Sequence, residues 1–507
     1  MRARQRALTP RDIKRGWQAT GLEPLSPIVV LDKLESAQRS VASCPRTPAH
    51  PSSLDLSLLH SSPPDGTELR RANMVLHDEL AKINEFISPV KRYMQRMTKA
   101  FEVTQSELIT ARKQLSESQS LLQTRKARKR GKRVALKIAS FGTPTSPSLS
   151  SRMFASMIPK ALEKGNTIAF VSPSVRANDL FPAATARGKA YVESLGFNVR
   201  VIYRPLPASC TIAESIRTRC EELHEAFREP SITAVLCTIG GNGANELLRF
   251  LDYDLIKRNP KIFVGYSDTT FLHYALFANA GLRTFYGPSV ITDFSDIKPM
   301  QFTTDHFMHV LTTGEGLIGR LPRSPEYAIE HSDFILGNEA STTSRELRPA
   351  PSWRWVRKGT VVGKLYGGTM RCVVELQGSP YKPSSWKDKI LFLETSTGGR
   401  ITEPYSVREF RNHFVDLALS GVLGDIQGLV MGRGYKYDKK MQDEIASVIQ
   451  EVIEVVAGRK DSCPVLMNVD FGHTSPFLTL PYGALTKLDS EADEFAVLDR
   501  GVRSLSR

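Results

Sequence analysis

Short apolar segments alternate with helical patterns between about residues 166 and 281, and this alternation restricts the fold more than any other feature of the chain. The predicted strands are TIAFVSPS, NVRVIY, TAVLCTIGG and KIFVGYS; the helical patterns are GKAYVESLGF, Arg217–Phe227, NELLRFLDY and TTFLHYALFANA. Strands that alternate with helices form a parallel sheet covered on both faces. The sequence therefore predicts an α/β fold. From about Gly363 the pattern changes to short strands separated by Gly and Pro turns.

Ser267 lies where the last of these strands meets its helix. The strand Ile262–Val264 breaks at Gly265, and a helix of about three turns follows until Gly281. Such a junction exposes a hydroxyl next to the free N–H groups of a helix start. A serine at this position is by itself more often a helix N-cap. The segment GYSDT also lacks the last glycine of the G-x-S-x-G motif.

A nucleophilic serine needs a base, and the base needs a partner that orients it. Glu394 follows the apolar run ILFL, where a sheet edge meets a loop, and His473 lies in FGHTSPFL. On its own, a histidine in such a segment is more often a turn residue. Together, the three segments supply what a serine hydrolase requires.

An oxyanion hole needs two donors, which are commonly backbone N–H groups. We expect one from Asp268, directly after the serine, and one from Gly240–Gly241 at the end of TAVLCTIGG. The glycine pair would also suit a plain turn. The Asp268 carboxylate would also suit a helix start, where the dipole favours negative charge.

The stretch from about residue 159 to residue 498 resembles the LD-carboxypeptidase family of serine peptidases, in its microcin-immunity branch. The matching segments, in family order, are KGNTIAFVSPS, CTIGGNGANELLRFLDYDLIKRNPKIFVGYSDTTFLHYALFANAGLRTFYGP, SPEY, RELRP, GKLYGGTMRCVVELQGSPYKP, ILFLETS and FGHTSPFLTLPYG. The resemblance implies a Ser–Glu–His triad at Ser267, Glu394 and His473.

The resemblance also implies how the domains are organised. A parallel-sheet, flavodoxin-like or amidotransferase-like domain at 158–310 would carry the nucleophile. A connecting loop region at 311–357 would lead to a smaller β-rich domain at 358–507. The triad would then assemble across the interface between the two domains.

The family cleaves amide bonds near a free carboxylate, either in murein peptides or in aminoacyl-nucleotides. The segments GGNGANELL, SPEY and RELRP favour the second branch, which stacks the nucleobase on tryptophans after SPE-[FY]. Ala328 stands here at the first tryptophan position. Tyr327 and Phe334 are expected to replace this stacking in part. Trp353 and Trp355 are more typical of buried packing. We expect no cofactor, no metal and a homodimer.

The basic charge is concentrated at the N-terminus. Residues 1–150 hold 26 Lys and Arg against 13 Asp and Glu, which is +13 of the net +15 and leaves +2 for the remainder. We predict a largely disordered segment at 1–66, a coiled coil with a basic run at 67–135, and a Ser/Thr/Pro linker at 136–157. A single long solvated helix is the alternative to the coiled coil.

The opening IKRGWQATGLEPLSP is followed by an RTP turn (Arg46 to Pro48), the predicted coil and a basic end. With these features, residues 1–135 resemble the C-terminal tail of fungal pogo-type transposases. They are therefore either a genuine fusion or transposon sequence joined to an enzyme in the gene model. The basic run Arg125–Arg133 suits a nuclear localisation signal or a weak contact with nucleic acid, although such runs are more often simply solvated.

The remaining features predict a cytoplasmic protein, or a nuclear one if the basic run is a targeting signal. The six cysteines form no C-x-x-C pair, and neither a signal peptide nor a long apolar span is present. A rival function is a non-catalytic, nucleic-acid-associated or scaffolding protein that acts through the basic coiled tail. The intact serine, glutamate and histidine argue against it.

Overall fold

The computed structural model describes residues 157–504 apart from 208, 313, 315 and 339. The predicted disordered segment at 1–66, the coiled coil and basic run at 67–135, and the linker before Met157 lie outside the described residues and stay predictions. The described residues belong to one unit, Ser148–Arg507.

The first sheet has six strands in the order β14-β5-β4-β3-β1-β2. Its strands are β1 (Thr167–Val171), β2 (Asn198–Val201), β3 (Ile232–Cys237), β4 (Ile262–Gly265), β5 (Phe285–Tyr286) and β14 (Leu480–Pro481). Strands β1 to β5 pair in parallel, and only β14 is antiparallel. The central strands are almost wholly buried, which is why they appear in the sequence as continuous apolar runs. The predicted parallel α/β sheet is confirmed.

Helices connect these strands, but the predicted helix NELLRFLDY is instead a 3-10 turn, and the helix there begins only at Tyr253. They are α1 (Ala177–Leu180), α2 (Pro182–Ser194), α3 (Ile212–Arg228), α4 (Tyr253–Arg258), α5 (Thr270–Ala275) and α6 (Gln301–Thr312). Short 3-10 turns cover Ala244–Leu247 and Ser267–Thr269, and π-helical turns cover Leu276–Ala280 and Val290–Phe294. Helix α3 begins with a capping box, in which Thr211 and Glu214 satisfy each other's backbone N–H groups.

The second sheet has eight strands in the order β6-β16-β15-β10-β11-β12-β13-β9. Its strands are β6 (Gly319–Arg320), β9 (Arg354–Arg357), β10 (Thr360–Thr369), β11 (Lys389–Glu394), β12 (Gly428–Gly432), β13 (Val465–Val469), β15 (Leu485–Asp489) and β16 (Glu494–Val497). Strands β10 to β13 are parallel, and the flanking strands are antiparallel. A second, β-rich part of the fold is confirmed, with a parallel centre that the sequence pattern did not indicate.

The parallel strands of the second sheet are also connected by helices. They are α7 (Met370–Leu376), α8 (Val407–Leu419), α9 (Val422–Asp425) and α10 (Lys439–Glu451), with a π-helical turn at Val452–Val456. Among the described residues, no helix combines the length and the apolar character that a membrane crossing requires.

The two sheets share chain segments. Strand β14 comes from the C-terminal part of the chain yet pairs with β5 of the first sheet. The segment 311–357, predicted as a connecting loop region, contains β6 and β9 of the second sheet and the separate hairpin β7 (Glu326–Ala328) and β8 (Leu347–Pro349). One hydrophobic cluster runs from Ala161 to Val502 through both sheets.

We predict that a truncated protein beginning at Ala155 keeps the stability and the activity of the full-length chain. Its first tertiary contacts are intact, because the Met157 N–H donates to Gly281 O at 2.7 Å and the Met157 carbonyl accepts from Arg283 N–H at 2.9 Å. The same truncation should abolish salt-dependent binding to DNA, since the basic run is deleted.

A protein beginning at Asn166 provides the matched comparison. It lacks the Met157 bridge and the buried side chains of Ala161 and Leu162, and we expect a lower free energy of unfolding in denaturant titration. Loss of activity in the Ala155 protein, while that protein stays folded, would show that the N-terminal segment belongs to the enzyme.

Candidate active site

The backbone turns sharply at Ser267, directly after β4. Ser267 has a φ of 63°, in the left-handed region that residues other than glycine rarely adopt. The 3-10 turn that begins at Ser267 continues into α5 and the following π-helical turn, and Gly281 closes this helical segment with a φ of 68°. Strained backbone of this kind occurs preferentially at functional sites. The predicted strand-to-helix junction is therefore present at Ser267.

The Gly240–Gly241 loop lies directly against the serine. A Cβ built on Gly240 would lie 2.6 Å from Ser267 Cβ, so only glycine allows this approach. Gly241 has a φ of 118°, which also favours glycine. The two segments predicted to supply oxyanion donors are therefore neighbours in space.

The Asp268 side chain ties the serine turn to the same loop. Its Oδ2 accepts hydrogen bonds from Ala244 N–H at 2.8 Å and from the Ser174 hydroxyl. Burial raises the pKa of Asp268, and these hydrogen bonds offset that effect only in part. The carboxylate therefore has a positional role beyond the helix-start interaction that the sequence left open.

His473 lies between Ser267 and Glu394. Its Nε2 is 3.1 Å from Ser267 Oγ, and its Nδ1 is 2.7 Å from Glu394 Oε2. Glu394 is the last residue of β11 and is completely buried. Gly472 has a φ of 119°, and a Cβ built on it would lie 3.3 Å from Glu394 Oε2. The structure thus brings together three residues from segments far apart in the sequence.

The Tyr286 hydroxyl connects the turn at Ser267 to the buried carboxylate of Glu394. It accepts a hydrogen bond from the Ser267 backbone N–H at 3.1 Å and donates to Glu394 Oε1 at 2.7 Å. The Thr369 hydroxyl also donates to Glu394 Oε1 and lies 3.0 Å from the Tyr286 hydroxyl. Both side chains are buried, so water does not substitute for these bonds.

These contacts keep Glu394 ionised. Burial by itself would raise the pKa of Glu394. His473 and the hydroxyls of Thr369 and Tyr286 outweigh burial and hold this pKa below its ordinary value. Burial and the Glu394 charge raise the pKa of Tyr286 well above its usual range, so the phenol keeps its proton. Tyr286 is therefore the donor and Glu394 the acceptor.

The segment that carries His473 is fixed by a buried ion pair between Arg433 and Asp470. Trp353 Nε1 donates to Asp470 Oδ2 at 2.8 Å. The Arg433 guanidinium lies 4.8 Å from the centre of the Tyr327 ring. Tyr327, expected to stack on a substrate, instead packs its ring against the guanidinium of this ion pair.

Phe334 also does not line the cleft. Its side chain is 1% exposed and packs in a small core cluster with Ala177, Ala184 and Ile291. We therefore correct the expectation that Phe334 contacts the substrate, because a side chain buried in this way offers no free face for stacking. Its neighbour Ile335 lines the cleft instead.

Ser267 and His473 open onto a cleft of about 830 Å³, a size typical of small-molecule sites. Its lining includes Gly240, Gly241, Glu246, Ser267, Asp268, Ile335, Arg371, Glu375, Ser396, Glu409 and His473. Within the described residues, no group of three or more His, Cys, Asp or Glu side chains could hold a metal ion.

Sequence reasoning missed Tyr286, Thr369 and the Arg433–Asp470 pair. The available signal was weak: TFYGP places a tyrosine in an apolar strand, and a buried tyrosine hydroxyl usually requires a partner. The partner itself lies 108 positions away, which no local pattern reveals.

We predict that Tyr286→Phe lowers kcat/KM by about 10- to 100-fold, because a hydrogen bond to a charged group contributes about 1.5–3 kcal/mol. The ring packing is retained, while the Ser267 N–H loses its acceptor and Glu394 loses a donor. Steady-state kinetics measures the change in kcat/KM, and denaturant titration measures the change in the free energy of unfolding.

Tyr274→Phe is the matched control. Tyr274 is equally buried, yet its hydroxyl has no hydrogen-bond partner among the described residues. Its removal should leave kcat/KM unchanged and the stability equal or higher. Equal losses of activity in the two variants would indicate a general packing effect rather than a role for the Tyr286 hydroxyl.

The sequence of the chain matches two models of one protein family. The model of the LD-carboxypeptidase N-terminal domain matches residues 168–287, and that of the LD-carboxypeptidase C-terminal domain matches residues 362–488. The first match contains Ser267, and the second contains Glu394 and His473.

Individual proteins agree with the family models. A protein from Vibrio cholerae named as a carboxypeptidase is 31% identical over 68% of this chain and 98% of its own length. The microcin C7 self-immunity protein of Escherichia coli is 30% identical over 67% of this chain and 95% of its own length. A solved structure of the microcin C7 self-immunity protein in complex with aspartyl sulfamoyl adenosine covers 68% of this chain and 99% of that chain, with 28% identity and a TM-score of 0.61.

Proposed function

The chain belongs to the LD-carboxypeptidase family, and from this premise we propose that it cleaves an amide bond near a free carboxylate through Ser267, His473 and Glu394. As a member of this family it is a hydrolase of the serine carboxypeptidase type. The observation that carries the proposal is the continuous hydrogen-bonded series from Ser267 Oγ through His473 to Glu394, with distances of 3.1 and 2.7 Å, at the cleft.

In the first step, Ser267 Oγ attacks the substrate carbonyl while His473 Nε2 takes the hydroxyl proton. The negative charge on the tetrahedral intermediate is stabilised by the backbone N–H of Asp268 and by an N–H of the Gly240–Gly241 pair. His473 then gives its proton to the leaving amine, and the acyl group stays on Ser267. Water, activated by the same imidazole, releases the carboxylic acid.

Glu394 orients the imidazole and stabilises its protonated form. It accepts from His473 Nδ1, which fixes the tautomer that leaves Nε2 free to take a proton. Because the pKa of Glu394 is lowered, the carboxylate is charged when the imidazolium forms. Tyr286 and Thr369 act through Glu394 as positioning residues.

We propose that the substrate is a small peptide or an aminoacyl-nucleotide conjugate. The cleft volume suits either, and the complex of the microcin C7 self-immunity protein with aspartyl sulfamoyl adenosine supports the second class. Stacking by Tyr327 or Phe334 is not part of the proposal.

The expected homodimer and the expected nucleic-acid contact stay predictions. The hydrogen-bonded series from Ser267 through His473 to Glu394 favours the hydrolase over the scaffolding alternative.

We predict that Ser267→Ala reduces hydrolysis of an activated ester or of the peptide L-Ala-D-Glu-L-Lys-D-Ala by at least about 10³-fold. The substitution removes one hydroxyl, so the melting temperature should change little. Ser396→Ala is the control, since Ser396 also lines the cleft but donates to Thr397 O rather than to His473. Full turnover by pure Ser267→Ala protein would exclude Ser267 as the nucleophile.

The rate should fall as the pH is lowered, because a protonated His473 cannot accept the Ser267 proton. Glu394 has a lowered pKa, so protonation of this carboxylate should not cause the decline. We expect log(kcat/KM), measured from about pH 8 down to about pH 5, to fall and to approach a slope of one at the acidic end of this range. A flat profile, measured with chemistry rate-limiting, would contradict His473 as the base.

A further inference from the structure

The charges on the cleft wall are unequal. Among the described residues that line the cleft, Arg371 is the one with a permanent positive charge, whereas Glu246, Asp268, Glu375 and Glu409 are acidic. A substrate carboxylate would therefore enter a predominantly acidic cleft. It needs a cationic partner there to offset both repulsion and the loss of water.

Three of the four acidic residues are already engaged by the protein. Glu246 pairs with the buried Arg219, and Glu409 accepts from the Ser406 hydroxyl at 2.7 Å in a helix capping box. Asp268 is tied to the glycine-rich loop through Ala244, as described above. None of these contacts involves Arg371.

The fourth acidic residue, Glu375, holds the Arg371 guanidinium at 2.8 Å, one turn along α7. The Arg371 side chain is 60% exposed and that of Glu375 42% exposed. Exposed pairs at this spacing contribute little net stability. Arg371 can therefore exchange Glu375 for another carboxylate at small cost, and its planar guanidinium matches a carboxylate with two parallel hydrogen bonds.

The position of Arg371 in the chain places it near the reacting groups. It follows Thr369 by two residues, and the Thr369 hydroxyl donates to Glu394. The first turn of α7 therefore begins at the triad, with Arg371 on the cleft wall.

We propose that Arg371 binds the free carboxylate of the substrate, and that Glu375 forms an ion pair with the Arg371 guanidinium when no substrate is bound. This inference rests on the proposed function. It assigns recognition of the carboxylate near the scissile amide to one residue. A nucleotide phosphate could also pair with a guanidinium, so the test includes that source.

The test uses the full-length protein and two phosphonate diesters that label the active-site serine. One probe has a 4-carboxyphenyl leaving group, and the other has the uncharged 4-carboxamidophenyl analogue as its leaving group. The labelling rate constant is measured for both probes in the wild type, Arg371→Gln, Glu375→Gln and Arg408→Gln. Arg408 is an exposed arginine on α8 that does not line the cleft. Comparing the probe ratio between proteins cancels the intrinsic reactivity of the probes.

We expect Arg371→Gln to lower the carboxylate-to-carboxamide rate ratio by about 10- to 100-fold, as the loss of a charge-assisted hydrogen bond predicts. Glu375→Gln should raise the ratio, because it removes the competing anion. Arg408→Gln should leave the ratio unchanged. The carboxamide rate should be similar in all four proteins.

Three results would overturn the proposal. An unchanged ratio in Arg371→Gln would exclude Arg371 as the carboxylate partner while leaving the triad intact. Protection of the wild type by adenosine monophosphate that is lost in Arg371→Gln, with an unchanged probe ratio, would assign Arg371 to a phosphate. Absence of labelling in the wild type with both probes would refute the proposed function itself, and the inference with it.

Discussion

The left-handed backbone at Ser267 is the constraint on which the rest of the site depends. A residue with a side chain pays a conformational cost of about 1–2 kcal/mol there, so the surrounding contacts must compensate. The Ser267 N–H donates to the Tyr286 hydroxyl, and Gly240 leaves room for the serine side chain. Tyr286 in turn donates to Glu394, so the same hydroxyl holds both the turn at Ser267 and the carboxylate.

The carboxyl ends of parallel strands from both sheets meet at this site. Ser267 follows β4 of the first sheet, while Thr369 and Glu394 end β10 and β11 of the second and pair in register. Parallel sheets expose their ligand-binding groups at this edge. The crossing of β14 into the first sheet, next to the strand that carries Tyr286, joins the two sheets.

The sequence was sufficient for those features that depend on local pattern. Buried parallel strands and the junction at Ser267 follow from apolar runs broken by glycine. The choice of Ser267, Glu394 and His473 as a triad depended instead on the resemblance to the LD-carboxypeptidase family. The interactions that support the triad were not predictable in this way. Tyr286 contacts Glu394 across 108 positions, and the Arg433–Asp470 pair joins two loops. Phe334 was misplaced because an aromatic side chain has the same sequence signal whether it faces a cleft or a core.

Mass-spectrometric mapping of a phosphonate adduct on the full-length protein tests the proposed triad. We predict a single adduct on the peptide that contains Ser267, with its formation slowed strongly by His473→Asn at neutral pH, because the serine then lacks its base. An adduct on a different residue, or labelling of Ser267 at an unchanged rate without His473, would contradict the proposed chemistry.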